Sequence, residues 1–194
     1  RQKFERITSI AGKLSAFRET AKGHMGGSPG AASALATMAR MVDHTAMRPG
    51  NESSVKEGVH GASTLLKKHV KVDGDKVKLT YTGKDKIPQE HEIHDPAVAA
   101  NVRHLLTIPG DRLFQHVDHR GEVKPLSASH LNDYVARHVG EDHSAKDLRT
   151  FHANRVFAEA ADKLGAPKDD KDAEDKVQRA ALEVAKHLGH KKAV

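Results

Sequence analysis

Residues 59–95 interrupt a chain whose apolar residues otherwise follow a helical period. In "HVKVDGDKVKLTYTG", apolar and polar residues alternate on both sides of Asp73-Gly74, a pattern typical of a β-hairpin. "KDKIPQ" then predicts a second turn, and "EHEIHD" predicts a third short strand. We therefore expect one small antiparallel sheet, at about residues 66–95, within a mainly helical domain.

Apolar residues spaced three or four apart predict helices on both sides of this sheet. The first helix covers residues 1–22, and the second covers 31–47 and ends before Pro49. The segment between them, "GHMGGSPG", lacks the Gly-Lys-Ser/Thr of a phosphate-binding loop and is predicted to be a linker. Four later helices are expected in "DPAVAANVRHLLTI", "SASHLNDYVARHV", "HSAKDLRTFHANRVFAEA" and "KDAEDKVQRAALEVAKHL".

The composition indicates a globular protein with a basic surface. The 194 residues are long enough for one domain with its own core, and their formal charge of +6 favours a polyanionic partner. There is no cysteine, which excludes disulfides, thiolate metal sites and a cysteine nucleophile. No apolar run approaches the ~18–20 residues that a membrane-spanning helix needs. The chain opens on Arg1 rather than on an initiator methionine, so we expect it to be a processed piece or a segment of a longer polypeptide.

The helix in "HSAKDLRTFHANRVFAEA" carries a charge where its core face should be. Ser144 followed by Asp147 predicts its N-terminus. At about 100° per residue, Arg149 points to the same side as the apolar stripe that contains Leu148 and Val156. Arg149 is therefore either a side chain that extends along the surface to water or a group directed at an anion.

Four cationic residues lie where predicted elements end. Arg48 follows the second helix, Lys84 lies in a hairpin turn, and Arg149 lies near the start of a capped helix. His190 follows the last helix. Side chains at element ends can converge on a ligand while the scaffold holds them rigidly. Taken singly, each has an ordinary structural explanation, such as solvation or interaction with a helix dipole.

Six short sequence segments, taken together, suggest one reason for the presence of all four residues. They are "DHTAMRPGNE", "GASTLLKKHVKVDGDKV", "YTGKDK", "DPAVAANVRHLLTIPGDRLFQHVD", "SAKDLRT" and "VAKHLGH", which occur in this order along the chain. With them the sequence resembles the catalytic domain of type IB DNA topoisomerases, specifically the small bacterial and poxvirus enzymes. The resemblance implies the fold of that domain, which tyrosine recombinases share. The K-D-L-R-T string is specific when a hairpin with a Gly-Lys turn precedes it.

The resemblance implies an active site and a reaction. Its catalytic residues would be Arg48, Lys84, Arg149 and His190. In that family a tyrosine attacks a DNA phosphodiester and forms a 3′-phosphotyrosyl link; rotation and religation then relax the DNA. The two arginines and the histidine would stabilise the non-bridging oxygens, and Lys84 would protonate the leaving 5′-oxygen. The resemblance implies no metal and no cofactor.

The sequence departs from the family at the nucleophile. The family tyrosine lies about two to three helical turns beyond the histidine, and this chain ends at Val194. Its tyrosines, Tyr81 and Tyr134, are predicted to be packing residues. The family's N-terminal clamp domain also has no counterpart here. Three hypotheses stay open: a topoisomerase whose tyrosine lies beyond this segment or is lost, a non-catalytic DNA-binding module of a larger protein such as a phage particle, and a tyrosine recombinase.

The remaining expectations concern DNA contact. Between residues 60 and 86, seven lysines stand against three aspartates. The candidate DNA-binding residues are Lys67, Lys68, Lys71, Lys86, Lys146 and Arg155. The expected partner is double-stranded DNA, bound by a monomer in the cytoplasm at the nucleoid, or in a virion if a phage encodes the chain. His91 and His94 are not expected to bind a metal, because their spacing puts them on opposite faces of a strand.

Overall fold

The structure is a computed structural model that describes the backbone of residues 2–189 and the side chains of residues 9–189. Within these residues the chain forms seven α-helices and five β-strands. The helices are α1 (Gln2–Met25), α2 (Ala31–Thr45), α3 (Glu52–Val55), α4 (Pro96–Thr107), α5 (Ala128–Val139), α6 (Ala145–Leu164) and α7 (Asp170–His187). The strands are β1 (Val70–Asp73), β2 (Lys76–Thr82), β3 (Pro88–His94), β4 (Gln115–Val117) and β5 (Val123–Pro125).

The first three strands form the predicted antiparallel sheet, with β2 in the centre. The first turn lies where Asp73-Gly74 predicted it, because Asp73 pairs with Lys76. Along β2, Val77, Leu79 and Tyr81 point to the buried face, and the residues between them are exposed or half-buried. The mainly helical fold with a small antiparallel sheet is thus confirmed.

Strands β4 and β5 form a second, two-stranded sheet that the sequence analysis missed. Each has three residues, which is too short for alternation to be recognised. The Oδ1 of Asp118 accepts hydrogen bonds from the backbone N–H groups of Arg120 (2.8 Å) and Glu122 (3.0 Å) and so shapes the turn. The valines that pair across this hairpin, Val117 and Val123, are exposed.

Helix α2 lies at the centre of the helical layer, where it contacts α1, α4, α5 and α6. It ends at Thr45, earlier than predicted, because Ala46 adopts a left-handed conformation (φ 54°). Large side chains from α1 and α2 fill the core, together with the buried face of the sheet. Those of the two helices are Ile10, Leu14, Phe17, Met38, Met41 and Val42. Phe4 and Ile7, apolar residues of the predicted first helix that lie three apart, are outside the described side chains.

An ion-pair network ties α2 to its neighbours. Both carboxylate oxygens of Asp43 accept hydrogen bonds from Arg18 of α1, at 2.8 and 2.9 Å, and Arg40 pairs with Asp43 and Asp95. Burial alone would raise the pKa of Asp43, but the hydrogen bond from Arg18 and the two arginine charges hold it below its ordinary value. The backbone carbonyl of Asp43 also accepts from Nδ1 of His152 at 3.1 Å, which links α2 to α6.

None of the helices in the part of the chain that the structure describes is both long and apolar enough to cross a membrane.

Candidate functional site

Arg48 is held by a close crossing of two loops. Its carbonyl accepts a hydrogen bond from the N–H of Ala62 at 2.8 Å, and the carbonyl of Pro49 accepts from Ser63 at the same distance. At Gly61 a Cβ would lie 2.5 Å from the Cα of Gly50 and 2.6 Å from the carbonyl oxygen of Arg48. Since real Cβ atoms do not approach backbone so closely, only glycine fits at position 61, and the crossing fixes the loop that carries Arg48.

Lys84 lies on the tight turn between β2 and β3. The N–H of Gly83 donates to the carbonyl of Ile87 at 2.8 Å and closes the turn. Asp85 and Lys86 inside it both have positive φ angles, of 59° and 57°. That conformation costs free energy for residues other than glycine, and such strain is tolerated mainly at functional sites. The turn presents Lys84 as an exposed ammonium at the tip of a hairpin.

Arg149 lies in the second turn of α6 and points inward, as its spacing predicted. Asp147 accepts hydrogen bonds from the N–H (2.9 Å) and Oγ (2.8 Å) of Ser144 and so closes the start of the helix. Arg149 itself is only 8% exposed. Burial and the charge of Arg48 lower its pKa to about 10, against a small opposite effect of Tyr81. The guanidinium is thus still charged at neutral pH, and a second cation lies nearby.

One pocket joins these residues. Arg48, Lys84 and Arg149 come from three separate parts of the chain, and all three line it. The other lining residues are Met47, His60, Tyr81, Gly83, Asp85, Ile87, Gln89, Leu188 and Gly189. His190, the fourth predicted residue, lies outside the described residues; the two residues that precede it line the pocket. The structure thus brings together the three predicted residues that it describes.

Sequence reasoning missed His60, Tyr81 and Gln89 at this pocket. The Nδ1 of His60 donates to the carbonyl of Thr64 at 2.7 Å, since a carbonyl can only accept. Alternation along β2 and β3 could have shown that Tyr81 and Gln89 face inward, because both positions are buried. No local sequence pattern marks His60, because tertiary packing alone brings it to the pocket.

The two tyrosines occupy different environments. Tyr134 is buried in the core, where its hydroxyl lies 2.8 Å from Nδ1 of His24, and burial raises its pKa to about 12. Tyr81 is 6% exposed and lies at the pocket, with its hydroxyl 3.5 Å from Nε2 of His91. Burial raises the pKa of Tyr81 above its ordinary value, although the charges of Arg149 and Arg48 oppose this. Both hydroxyls are therefore kept neutral, which makes them weak nucleophiles.

The other predicted DNA-binding residues do not line the pocket. Lys67 donates to the carbonyl of Ile108, so its ammonium is engaged within the fold. Arg155 forms an ion pair with Glu159 on the surface of α6, at 2.8 Å. The remaining four are exposed. They are Lys68 and Lys71 at the first strand, Lys86 on the turn of Lys84, and Lys146 in the first turn of α6.

Across the exposed face of the sheet, part of the lysine surplus is neutralised. Lys76 pairs with Glu92 at 3.2 Å, and Lys78 pairs with Glu90 at 2.7 Å, each across the β2–β3 ladder. These pairs separate the sheet lysines into two sets. Lys68 and Lys71 have no ion pair among the described contacts, whereas Lys76 and Lys78 do.

The described residues contain no group of three or more His, Asp or Glu side chains arranged to hold a metal ion. His91 lies half-buried on the inner face of β3, and His94 is exposed on the outer face beside Glu92 at 2.8 Å. The two histidines thus lie on opposite faces, as their spacing predicted. The positive charge at the pocket comes from two arginines and a lysine, whose N–H donors suit the oxygens of a phosphate group.

Two curated relatives match most of the chain. DNA topoisomerase 1B of Acanthamoeba polyphaga mimivirus is 29% identical over 168 residues, which cover 82% of this chain and 50% of the relative. DNA topoisomerase 1 of Mycosarcoma maydis is 23% identical over 176 residues, which cover 81% of this chain and 17% of the relative. The chain thus spans half the length of the viral relative and a smaller part of the fungal one.

Solved structures share the fold. The XerH site-specific recombinase bound to its difH substrate, before cleavage, superposes with a TM-score of 0.59 at 17% identity, covering 92% of this chain and 45% of that one. The post-cleavage complex of XerH with a palindromic difH substrate gives a TM-score of 0.55 at 16% identity, covering 90% and 46%. These similarities confirm the recombinase-like fold.

A family model matches the whole length of the sequence. The model describes the catalytic core of eukaryotic DNA topoisomerase I, and it covers residues 1–194. The resemblance carried by the K-D-L-R-T string and the Gly-Lys turn is thereby confirmed at the level of the family. With its three described cationic residues at one pocket on a recombinase-like fold, this chain belongs to the DNA topoisomerase I catalytic core family.

Proposed function

We propose that this chain is the core of an enzyme that cuts and rejoins one strand of duplex DNA through a 3′-phosphotyrosyl intermediate and so relaxes DNA. One observation carries the proposal: Arg48, Lys84 and Arg149 line a single pocket although they lie far apart in the sequence. The family match supports the same chemistry. A scissile phosphate is the group that such a cluster of cations would hold.

In the proposed reaction each residue has one task. The guanidinium groups of Arg48 and Arg149 donate to the non-bridging oxygens, where negative charge builds up in the transition state, and His190 donates to one of them. Lys84, on its exposed turn, protonates the 5′-oxygen as it leaves. Because the arginines supply positive charge at the phosphate, we expect the reaction to need no metal ion.

The attacking hydroxyl belongs to neither tyrosine of this chain. Tyr134 is buried in the core, and the pKa of Tyr81 is raised by burial at a site where an attacking phenolate would be needed. The proposal therefore assigns the nucleophile to a tyrosine outside these 194 residues. The same burial favours the second candidate function, in which a protein of this fold binds DNA and has lost cleavage.

A plasmid relaxation assay on the full-length polypeptide, in EDTA and without ATP, tests the proposal. Relaxation, together with a protein–DNA adduct on the 3′ side of the break, supports a topoisomerase. Retarded DNA without relaxation contradicts it and supports the non-catalytic DNA-binding module, while strand exchange that depends on a specific site supports a tyrosine recombinase. We expect the protein to act as a monomer in this assay and to bind duplex DNA.

A further inference from the structure

Gln89 connects the two sides of the pocket. It lies on the inner face of β3, directly opposite Tyr81 of β2, and is 8% exposed. Its Nε2 donates a hydrogen bond to the carbonyl of Gly189 at 3.1 Å, across 100 positions of the sequence. This contact joins the sheet to the residue that follows the last turn of α7.

The side chain of Gln89 fits against two glycines. Gly189 has a left-handed conformation (φ 59°), and a Cβ there would lie 2.2 Å from both amide atoms of Gln89. At Gly83 a Cβ would lie 2.8 Å from Cγ of Gln89. Any larger residue at either glycine would displace the amide, so the sequence leaves room for this side chain on both sides.

The two glycines precede two of the predicted catalytic residues in the sequence. Gly83 is bonded to Lys84, and Gly189 is bonded to His190. We propose that Gln89 is a positioning residue, which holds the end of α7 and the lysine turn in a fixed relation at the phosphate pocket. This inference rests on the proposed function, and Gln89 itself takes no part in the chemistry.

The attachment of α7 explains why one hydrogen bond matters here. Within α7 only Ala180 is fully buried, and the helix packs mainly against α6. Its last turn contacts α6 through His187, whose Nε2 lies 2.7 Å from Nε2 of His152. The bond from Gln89 adds a second attachment, directly at the pocket. A weakly packed element opens locally at low free energy unless such contacts hold it.

Gln89→Met tests the inference, because methionine keeps the volume and removes the donor. We expect hydrogen exchange at the amides of Leu188 and Gly189 to speed up about tenfold, since one hydrogen bond is worth about that factor, with no change elsewhere. In the active full-length polypeptide, the single-turnover cleavage rate should fall by about the same factor while the KM for DNA is unchanged. Gln178→Met, the same substitution at an exposed glutamine of α7, is the matched control and should change neither quantity.

The two measurements separate this inference from the proposed function. Unchanged exchange at Leu188 and Gly189 would show that Gln89 does not hold the end of α7. Faster exchange with an unchanged cleavage rate would overturn its positioning role. If the unmodified full-length polypeptide cleaves no DNA but Gln89→Met still speeds up exchange, the attachment of α7 by Gln89 would be supported and the proposed function would be refuted. If Gln89→Met does not fold, Gln89→Asn gives the same test. Asparagine keeps the amide group, but its side chain is one methylene shorter and does not reach Gly189.

Discussion

At the scale of single residues, Gly61 decides where Arg48 lies. The two loops cross so closely at this point that a side chain at position 61 would overlap the backbone of Gly50 and of Arg48. The sequence shows a Gly-Ala-Ser-Thr string there and gives no sign of the crossing. The glycine is thus a condition for the site, although it carries no chemistry.

Gly61→Ala should both destabilise the protein and weaken DNA binding. Forcing a methyl group into this crossing should cost about 1–3 kcal/mol, as overpacking usually does, and should move Arg48 away from the pocket. Urea unfolding and DNA titration measure the two effects. Gly23→Ala is the control: it lies in α1 with no atom within 4 Å of its Cβ, and should stabilise the protein by about 1 kcal/mol. Unchanged DNA affinity in Gly61→Ala would contradict this role.

Arg149→Ala should reduce DNA cleavage without unfolding the protein. The loss of one preorganised donor typically costs ~10²-fold or more in rate, while removal of a buried charge beside Arg48 relieves repulsion. Arg149→Lys should also be impaired, because an ammonium lacks the forked donors.

Single-turnover cleavage by the full-length polypeptide and thermal unfolding provide the two readouts for Arg149→Ala. Arg179→Ala, an exposed arginine on α7 that pairs with Asp175, should match the unmodified protein. Lost stability with unchanged cleavage would make Arg149 a structural residue.

At the scale of elements, two histidines join α6 to α7. The rings of His152 and His187 stack with centroids 4.8 Å apart. Nδ1 of His152 faces the carbonyl of Asp43, which only accepts, so the ring proton lies there and Nε2 accepts from His187. A second proton on His152 would set two donors against each other. Burial and the charges of Arg155 and His187 lower the pKa of His152 to about 4.

Acidification should therefore weaken the fold, and first the packing of α7. The pKa of His152 is about 6.5 when unfolded and about 4 when folded, so its contribution is fully present above pH ~6.5 and is lost as the pH falls towards 4. The pKa values of His69 and His91 are lowered to about 4 as well, mainly by burial, and act in the same direction. Urea midpoints at pH 7.5 and pH 5.0 test this. An equal or higher midpoint at pH 5.0 would refute it.

At the scale of the whole molecule, local pairing determines which positive charges are open to the proposed DNA partner. The formal charge of +6 is spread over 32 basic and 26 acidic residues, so local pairing matters more than the total. Lys76 and Lys78 are neutralised by glutamates across the sheet, whereas Lys68 and Lys71 are exposed. Lys68 and Lys71, which have no ion pair among the described contacts, can therefore be compared with Lys76 and Lys78, which do.

Replacement of Lys68 and Lys71 by glutamine should lower the salt dependence of DNA binding. Each phosphate contact contributes about 0.9 to the slope of log K against log salt, so the double variant should lose about 1.8. The same replacement of Lys76 and Lys78 should lose less, because their ammonium groups already face carboxylates. Affinity titrations over a range of salt concentrations measure the slopes. Equal losses in the two double variants would show that the ion pairs do not matter for DNA contact.

Local patterns in the sequence determined most of the elements, and the resemblance to the topoisomerase family grouped three members of the pocket into one site. Alternation and turn residues located the sheet, helical spacing located the longer helices, and the angle of Arg149 on α6 predicted that it points inward. Each of these depends on neighbours within a few residues, which the sequence displays directly. The short β4–β5 hairpin escaped because three residues do not define a period.

The tertiary structure alone decided how distant residues meet. The approach of Gly61 to Gly50, the place of His60 and Tyr81 at the pocket, and the bond from Gln89 to Gly189 depend on how the loops cross and how α7 returns to the sheet. No pattern along the chain encodes these contacts, because their geometry follows from the packing of whole elements. The sequence thus specified which cations stand at the ends of elements, and the packing of those elements brought Arg48, Lys84 and Arg149 to one pocket.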